Sequence, residues 1–147
     1  TYFSYKKFDI TMILNGALGG LVAITAGADV VSIYAPIAIG AIGGALVFFA
    51  VPFFDKLRID DPVGALSVHL VNGIWGTIAV AIFADYSLMA QLKGIVVVAV
   101  FAFTSSYIVI YIINKVSPFR ADDDVEIEGL DSEECGIEAY PEFKKSF

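Results

Sequence analysis

The stretch PVGALSVHLVNGIWGTIAVAIFA, residues 62–84, runs for 23 residues without an Asp, Glu, Lys or Arg. A helix rises 1.5 Å per residue, so about 20 apolar residues cross the ~30 Å hydrocarbon core of a bilayer. The stretch reads as a membrane-spanning helix, with Asp60, Asp61 and Pro62 at its start. Acids suit the positive end of a helix, and proline suits its first turn. Three more uncharged windows flank it: Ile10–Ala28, Val30–Phe54 and Gly94–Asn114. Each is too long, and too free of polar–apolar alternation, for a barrel strand. The expectation is an all-α, polytopic membrane protein. Its transmembrane region is 1–118, with four helices at about 10–28, 32–54, 62–84 and 91–116, followed by an acidic cytosolic tail over 119–147.

Composition agrees. Of the 147 residues, 58% are hydrophobic and 17% charged, against roughly half and a quarter in soluble domains. A net charge of −7 excludes a general nucleic-acid binder, which needs a basic face. One cysteine and one histidine exclude a disulfide framework, a four-cysteine zinc site and a His-rich metal cluster. No metal or cofactor is expected. Nor is an enzyme, for no hydrolase nucleophile pattern, P-loop or dinucleotide fingerprint is present; the glycines lie inside apolar helices rather than after a strand.

Charge placement orients the chain. Lys6, Lys7, Lys56, Arg58, Lys115 and Arg120 fall on one side of the membrane, and only Lys93 on the other. Cytoplasmic segments carry the excess of Lys and Arg, so both ends are expected in the cytoplasm. The apolar run after Lys7 is too long for a cleavable secretion signal. A first residue Thr1 rather than Met reads as a processed or partial product. From Ala121 onward there are ten acids and two lysines. A solvated, disordered tail is one reading. The interleaved Val125, Ile127, Leu130, Ile137 and Tyr140 allow another, in which it folds on a partner or on the membrane region.

Gly16 with Gly20, and Gly40 with Gly44, fit the spacing that lets helix backbones approach closely. Close packing and a narrow conduit both account for them. His69 is more pointed. At α-helical spacing Asn72, Gly73 and Gly76 stand at i+3, i+4 and i+7 from it, so one face reads His, Asn, Gly, Gly, unlike a lipid-facing surface; in residues 1–147 by themselves that face, Asn72 included, would meet lipid. Ionisable groups inside a span are costly and usually line a pathway. An uncharged imidazole has one donor and one acceptor nitrogen. It can relay a proton or hydrogen-bond a small polar solute.

DDPVGALSVHLVNGIWGT (60–77) resembles the late pore helix of the Amt/Mep/Rh ammonium transporter family. NGALGGLVAITAG (15–27) resembles that family's eighth helix, QLKG (91–94) the opening of its eleventh, and GLDSEECGIEAY (129–140) its cytosolic signature. The matches keep the family's order and cover nearly the whole chain. The resemblance implies the last four helices of an eleven-helix fold, in a homotrimer of the plasma membrane that passes ammonium or ammonia through a hydrophobic pore in each subunit. It makes His69 the second of two mid-pore histidines. It makes Asp61 the acid at the cytoplasmic start of that helix, and Asn15, Asn72, Gly73 and Gly76 lining or supporting positions. It makes Gly129, Leu130, Asp131, Gly136 and Tyr140 part of a regulatory tail that meets PII signalling proteins. Cys135 and Ile137 replace the usual histidine and glutamate of the signature. An ammonium-sensing or regulatory membrane protein without transport of its own is the alternative, and a four-helix assembly partner a third reading.

Overall fold

The computed structural model describes residues 6–117, 120–137 and 139. Its helices are α1 (Ile10–Thr25), α2 (Ala35–Lys56), a π-helical turn (Ala65–Leu70) running directly into α3 (Val71–Phe83), α4 (Leu88–Val116), and two short helices, α5 (Asp123–Glu128) and α6 (Leu130–Cys135). No strand occurs among the described residues. The expected all-α architecture is found.

Three of these elements are long and apolar enough to cross a membrane: Ala35–Lys56, Ala65–Phe83 and Leu88–Val116. The first helix is apolar but only 16 residues long, about 24 Å at the helical rise. It starts where Asp9 accepts the Met12 N–H at 2.9 Å, satisfying one free donor of the first turn. It stops short of the expected Ala28 because the chain reverses at Gly27, whose carbonyl takes the N–H groups of both Val30 and Val31 at 3.0 Å. Pro36 lies in the first turn of α2, where its missing N–H costs nothing. The fourth helix begins at Leu88 rather than near Gln91. The Ser87 carbonyl accepts the Gln91 N–H at 3.1 Å, and Lys93 lies within the helix.

Two compact units divide the chain between Ala99 and Val100. In the first, α1, α2, the π turn and α3 pack against one another. Glycine makes the approach possible. A methyl group at Gly20 would stand 3.1 Å from the Gly40 carbonyl, and one at Gly44 3.2 Å from that of Gly16. Both sequence-spaced glycine pairs thus face each other across α1 and α2, as close packing requires. At the other end of this bundle Ala23, Ala35, Ile39 and Ala79 form a buried cluster with Trp75 and Phe83 against it. The Trp75 indole donates to the Ile39 carbonyl at 3.0 Å.

In the second unit, Phe103, Tyr107 and Tyr111 stack along one side of α4 with centroids 6.3 and 6.4 Å apart, and the Lys115 ammonium lies over the Tyr111 ring. Beyond α4, Arg120 pairs with Glu126 at 3.2 Å. Gly129, at φ +116° and ψ 133°, joins α5 to α6 in a conformation essentially reserved for glycine.

Candidate functional site

The expected helix start at Pro62 is corrected to Ala65. Asp60–Gly64 is a loop, and Gly64 is left-handed at φ +76°. The Asp61 carboxylate reaches forward over this loop. Its Oδ1 accepts the Leu66 N–H at 2.9 Å, and its Oδ2 accepts both the Ser67 N–H and the Ser67 hydroxyl at 2.8 Å. Partial burial pushes the Asp61 carboxyl upward. The hydrogen bonds from Leu66, Ser67 and Ala65 outweigh it and hold the group below its ordinary value of 3.8.

That depressed value has a sign. Asp61 contributes its stability above pH 3.8, and the contribution disappears as pH falls through the lower native value. Asp61→Asn is expected to lose about 0.5–2 kcal/mol, the range for helix caps, at pH 6. The gap to wild type should narrow progressively at acid pH below 3.8. Thermal unfolding in detergent from pH 6 down through 3.8 checks this; a gap that stays the same size across the series would remove the charge from the explanation.

The turn that Asp61 starts is wound wide. The Val71 N–H reaches back to the Leu66 carbonyl, and the His69 N–H to that of Gly64 at 3.3 Å, both i→i−5 bonds of a π helix. At the far end the Asn72 side-chain amide donates to the Val68 carbonyl at 3.0 Å. A π winding advances about 82° per residue instead of the α-helical ~100°. It brings Ser67 and Val68 to the inner side, where both are buried, and leaves His69 exposed.

The predicted single face is therefore divided. Asn72 is fully buried, not turned toward lipid. A methyl at Gly19 would stand 2.8 Å from its amide nitrogen, and one at Gly43 2.9 Å from its Oδ1. Gly76 lies in the same seam, with the Ala23 backbone directly against it. His69 and Gly73 are on the other side; His69 is exposed, and Gly73 faces open space with nothing within 4 Å of an added methyl. Asn15 is half-buried on α1. The Asn72 Oδ1 is buried without a hydrogen-bond partner among the described residues, an arrangement that costs about 1–3 kcal/mol. The sequence does not single out Ser67 or Gly64, and it shows Gly19 and Gly43 only as part of the glycine content of the first two helices, not as the room for Asn72. The only signal for them was the unusual DDPVG opening and the doubling of Gly19–Gly20 and Gly43–Gly44.

In the tail, Asp131 accepts the Ala139 N–H at 2.7 Å, and this bond is the main reason its carboxyl lies below the ordinary value. Gly136 ends α6 in the left-handed region, the usual helix stop. Leu130 and Cys135 are exposed. Tyr140 lies outside the described residues. Among the described residues, no group of three or more His, Cys, Asp or Glu could hold a metal ion.

Residues 1–140 match the model of the Ammonium Transporter Family. The chain is 35% identical to ammonium transporter Amt2 of Archaeoglobus fulgidus, over 97% of this chain and 35% of that protein. It is 36% identical to ammonium transporter Amt1 of Haloferax mediterranei, over 93% of this chain and 28% of that one. A solved structure named "Sensor Amt Protein" matches with a TM-score of 0.79 at 34% identity, over 90% of this chain and 36% of its own. The chain spans about a third of the length of the curated relatives it matches. With this match running almost end to end, over spans that are themselves apolar and glycine-packed, the chain belongs to the ammonium transporter family.

Proposed function

We propose that the protein carrying this chain passes ammonium or ammonia across the plasma membrane, and that His69 lies on the path. The supporting observation is an exposed imidazole within a membrane-spanning segment, beside the open face at Gly73. Ionisable groups in spans face protein interiors or polar pathways rather than lipid. The rest of the protein would supply the facing wall, including a second histidine, and three copies would assemble around independent pores. Ammonium flux and charge movement through His69→Ala protein test this reading: both fall if the imidazole is on the path, and both stay at wild-type values if it only packs.

A sensing role is the second reading, favoured by the name of the solved relative. Binding of ammonium without flux would select it. Residues 129–140 are then the segment that reports occupancy, and a PII protein at the cytosolic face is the partner proposed for them.

Both ends of the chain are proposed to be cytoplasmic, on the six-to-one basic asymmetry. In intact cells, a membrane-impermeant thiol reagent should label Asp29→Cys and spare Ser132→Cys, each made in a Cys135→Ser background. The reverse pattern would invert the topology.

A further inference from the structure

The π turn before α3 is clamped at both ends by side chains, and we infer that Ser67 and Asn72 are positioning residues whose clamp turns His69 to the open side of the helix. The inference deepens the transport reading and rests on it only for its consequence. At the near end the Ser67 hydroxyl and N–H both bond Asp61 Oδ2 at 2.8 Å, and Ser67 itself is buried at 1% exposure. At the far end Asn72 gives its amide to Val68. Wide winding is intrinsically unfavoured, so a π turn persists where its surroundings hold it. Asn72 holds it at a cost, because its Oδ1 has no partner among the described residues. Glycines at 19 and 43 leave the room for that side chain, since a methyl on either would fall within 3 Å of it. A polar side chain kept unsatisfied among glycines, in a seam that any apolar residue of similar shape would fill, is placed for what its amide bonds.

The consequence follows from the winding. His69 lies three residues before Asn72. If residues 65–70 relax to α-helical spacing with α3 fixed, each step adds about 18°, and the imidazole swings by tens of degrees toward the seam that holds Asn72 and Gly76. His69 then leaves the open face, although no atom that touches it has been changed.

The test uses the full-length protein that carries this chain, in lipid bilayers, with isotope-labelled histidine and with the backbone of residues 65–70 assigned. The His69 ring signal is identified as the one lost in His69→Gln. Ser67→Ala keeps both backbone bonds to Asp61 and removes the hydroxyl. Asn72→Leu keeps the branched shape and removes the donor to Val68. Both should shift the His69 ring signals and move the 65–70 carbonyl shifts to α-helical values. Gly94→Ala, which meets open space on α4, should leave both unchanged. Ring and backbone signals that stay at wild-type positions in Ser67→Ala and in any folded Asn72→Leu protein would overturn the inference. Ammonium flux separates the two readings. Shifted signals with flux reduced tenfold or more support both, whereas shifted signals with unchanged flux support the clamp and take His69 off the path.

Discussion

Gly76→Ala protein should fail to close its first three helices properly. The added methyl falls on the carbonyl, carbon and Cα of Ala23. All three are backbone atoms in the last turns of α1, so no side chain can rotate away to make room. Over-packing of this kind costs about 1–3 kcal/mol. The better helix propensity of alanine returns up to about 1 kcal/mol, less than the upper half of that cost. The loss should be larger still for Gly76→Leu, where the side chain has to enter the space held by Ala23. The same change at Gly94, where nothing lies within 4 Å, has only the propensity gain. Unfolding of the complete protein in mixed micelles, with denaturing detergent as the variable, gives the comparison. Gly76→Ala should unfold at a lower detergent fraction than wild type, and Gly94→Ala at the same fraction or a higher one. Equal midpoints for Gly76→Ala and wild type would mean that α1 and α3 can part without penalty, and the seam would lose its role in fixing Asn72.

The spans were legible because their cause is simple. Uncharged runs of 19 to 25 residues leave the backbone only one way to satisfy itself in lipid. The glycine pairs 16/20 and 40/44 were legible too, since their spacing alone puts them on one stripe, and the structure sets them against each other. Other features were not. The face drawn through His69, Asn72, Gly73 and Gly76 assumed uniform α-helical spacing. One π turn breaks that assumption, and nothing in periodicity announces it, because the contacts that go with it are non-local, among them a carboxylate at Asp61 reaching five and six residues ahead. Asn72 was singled out for being polar, but its burial depends on Gly19 and Gly43 in two other helices, a tertiary fact. The helical start of this span lies at Ala65 and not Pro62 for a similarly local reason, the left-handed Gly64 before the π turn, which an apolar count does not see. The short first helix is the converse case. Its window held 19 uncharged residues, and the turn closed by the Gly27 carbonyl ended it early.

His69→Ala is expected to have the largest functional effect of any single change in the chain. His69 is the chain's one histidine, and the structure leaves it exposed within a span. On the transport reading it hydrogen-bonds the passing solute or relays its proton. Alanine does neither. Positioned proton-transfer groups contribute roughly 10²–10⁴-fold to the steps they serve, so charge translocation should fall by at least the lower figure. The fold should survive, because His69 takes no part in the α1–α3 seam and its removal leaves no buried polar group unpaired. His69→Glu separates chemistry from space. On the transport reading, a carboxyl in a hydrophobic pore favours its protonated form, which can again donate, accept and exchange a proton, so this variant should recover part of the lost flux. The measurement is the charge moved per ammonium in a reconstituted bilayer, for wild type, His69→Ala and His69→Glu of the complete protein. Flux lost in Ala and partly restored in Glu assigns His69 to proton handling. Flux lost in Ala and in Glu alike assigns it to hydrogen-bonding a neutral solute through a geometry only imidazole provides. Wild-type flux and charge in His69→Ala would make the histidine a packing residue, and the conduction path would then lie on another face of these helices.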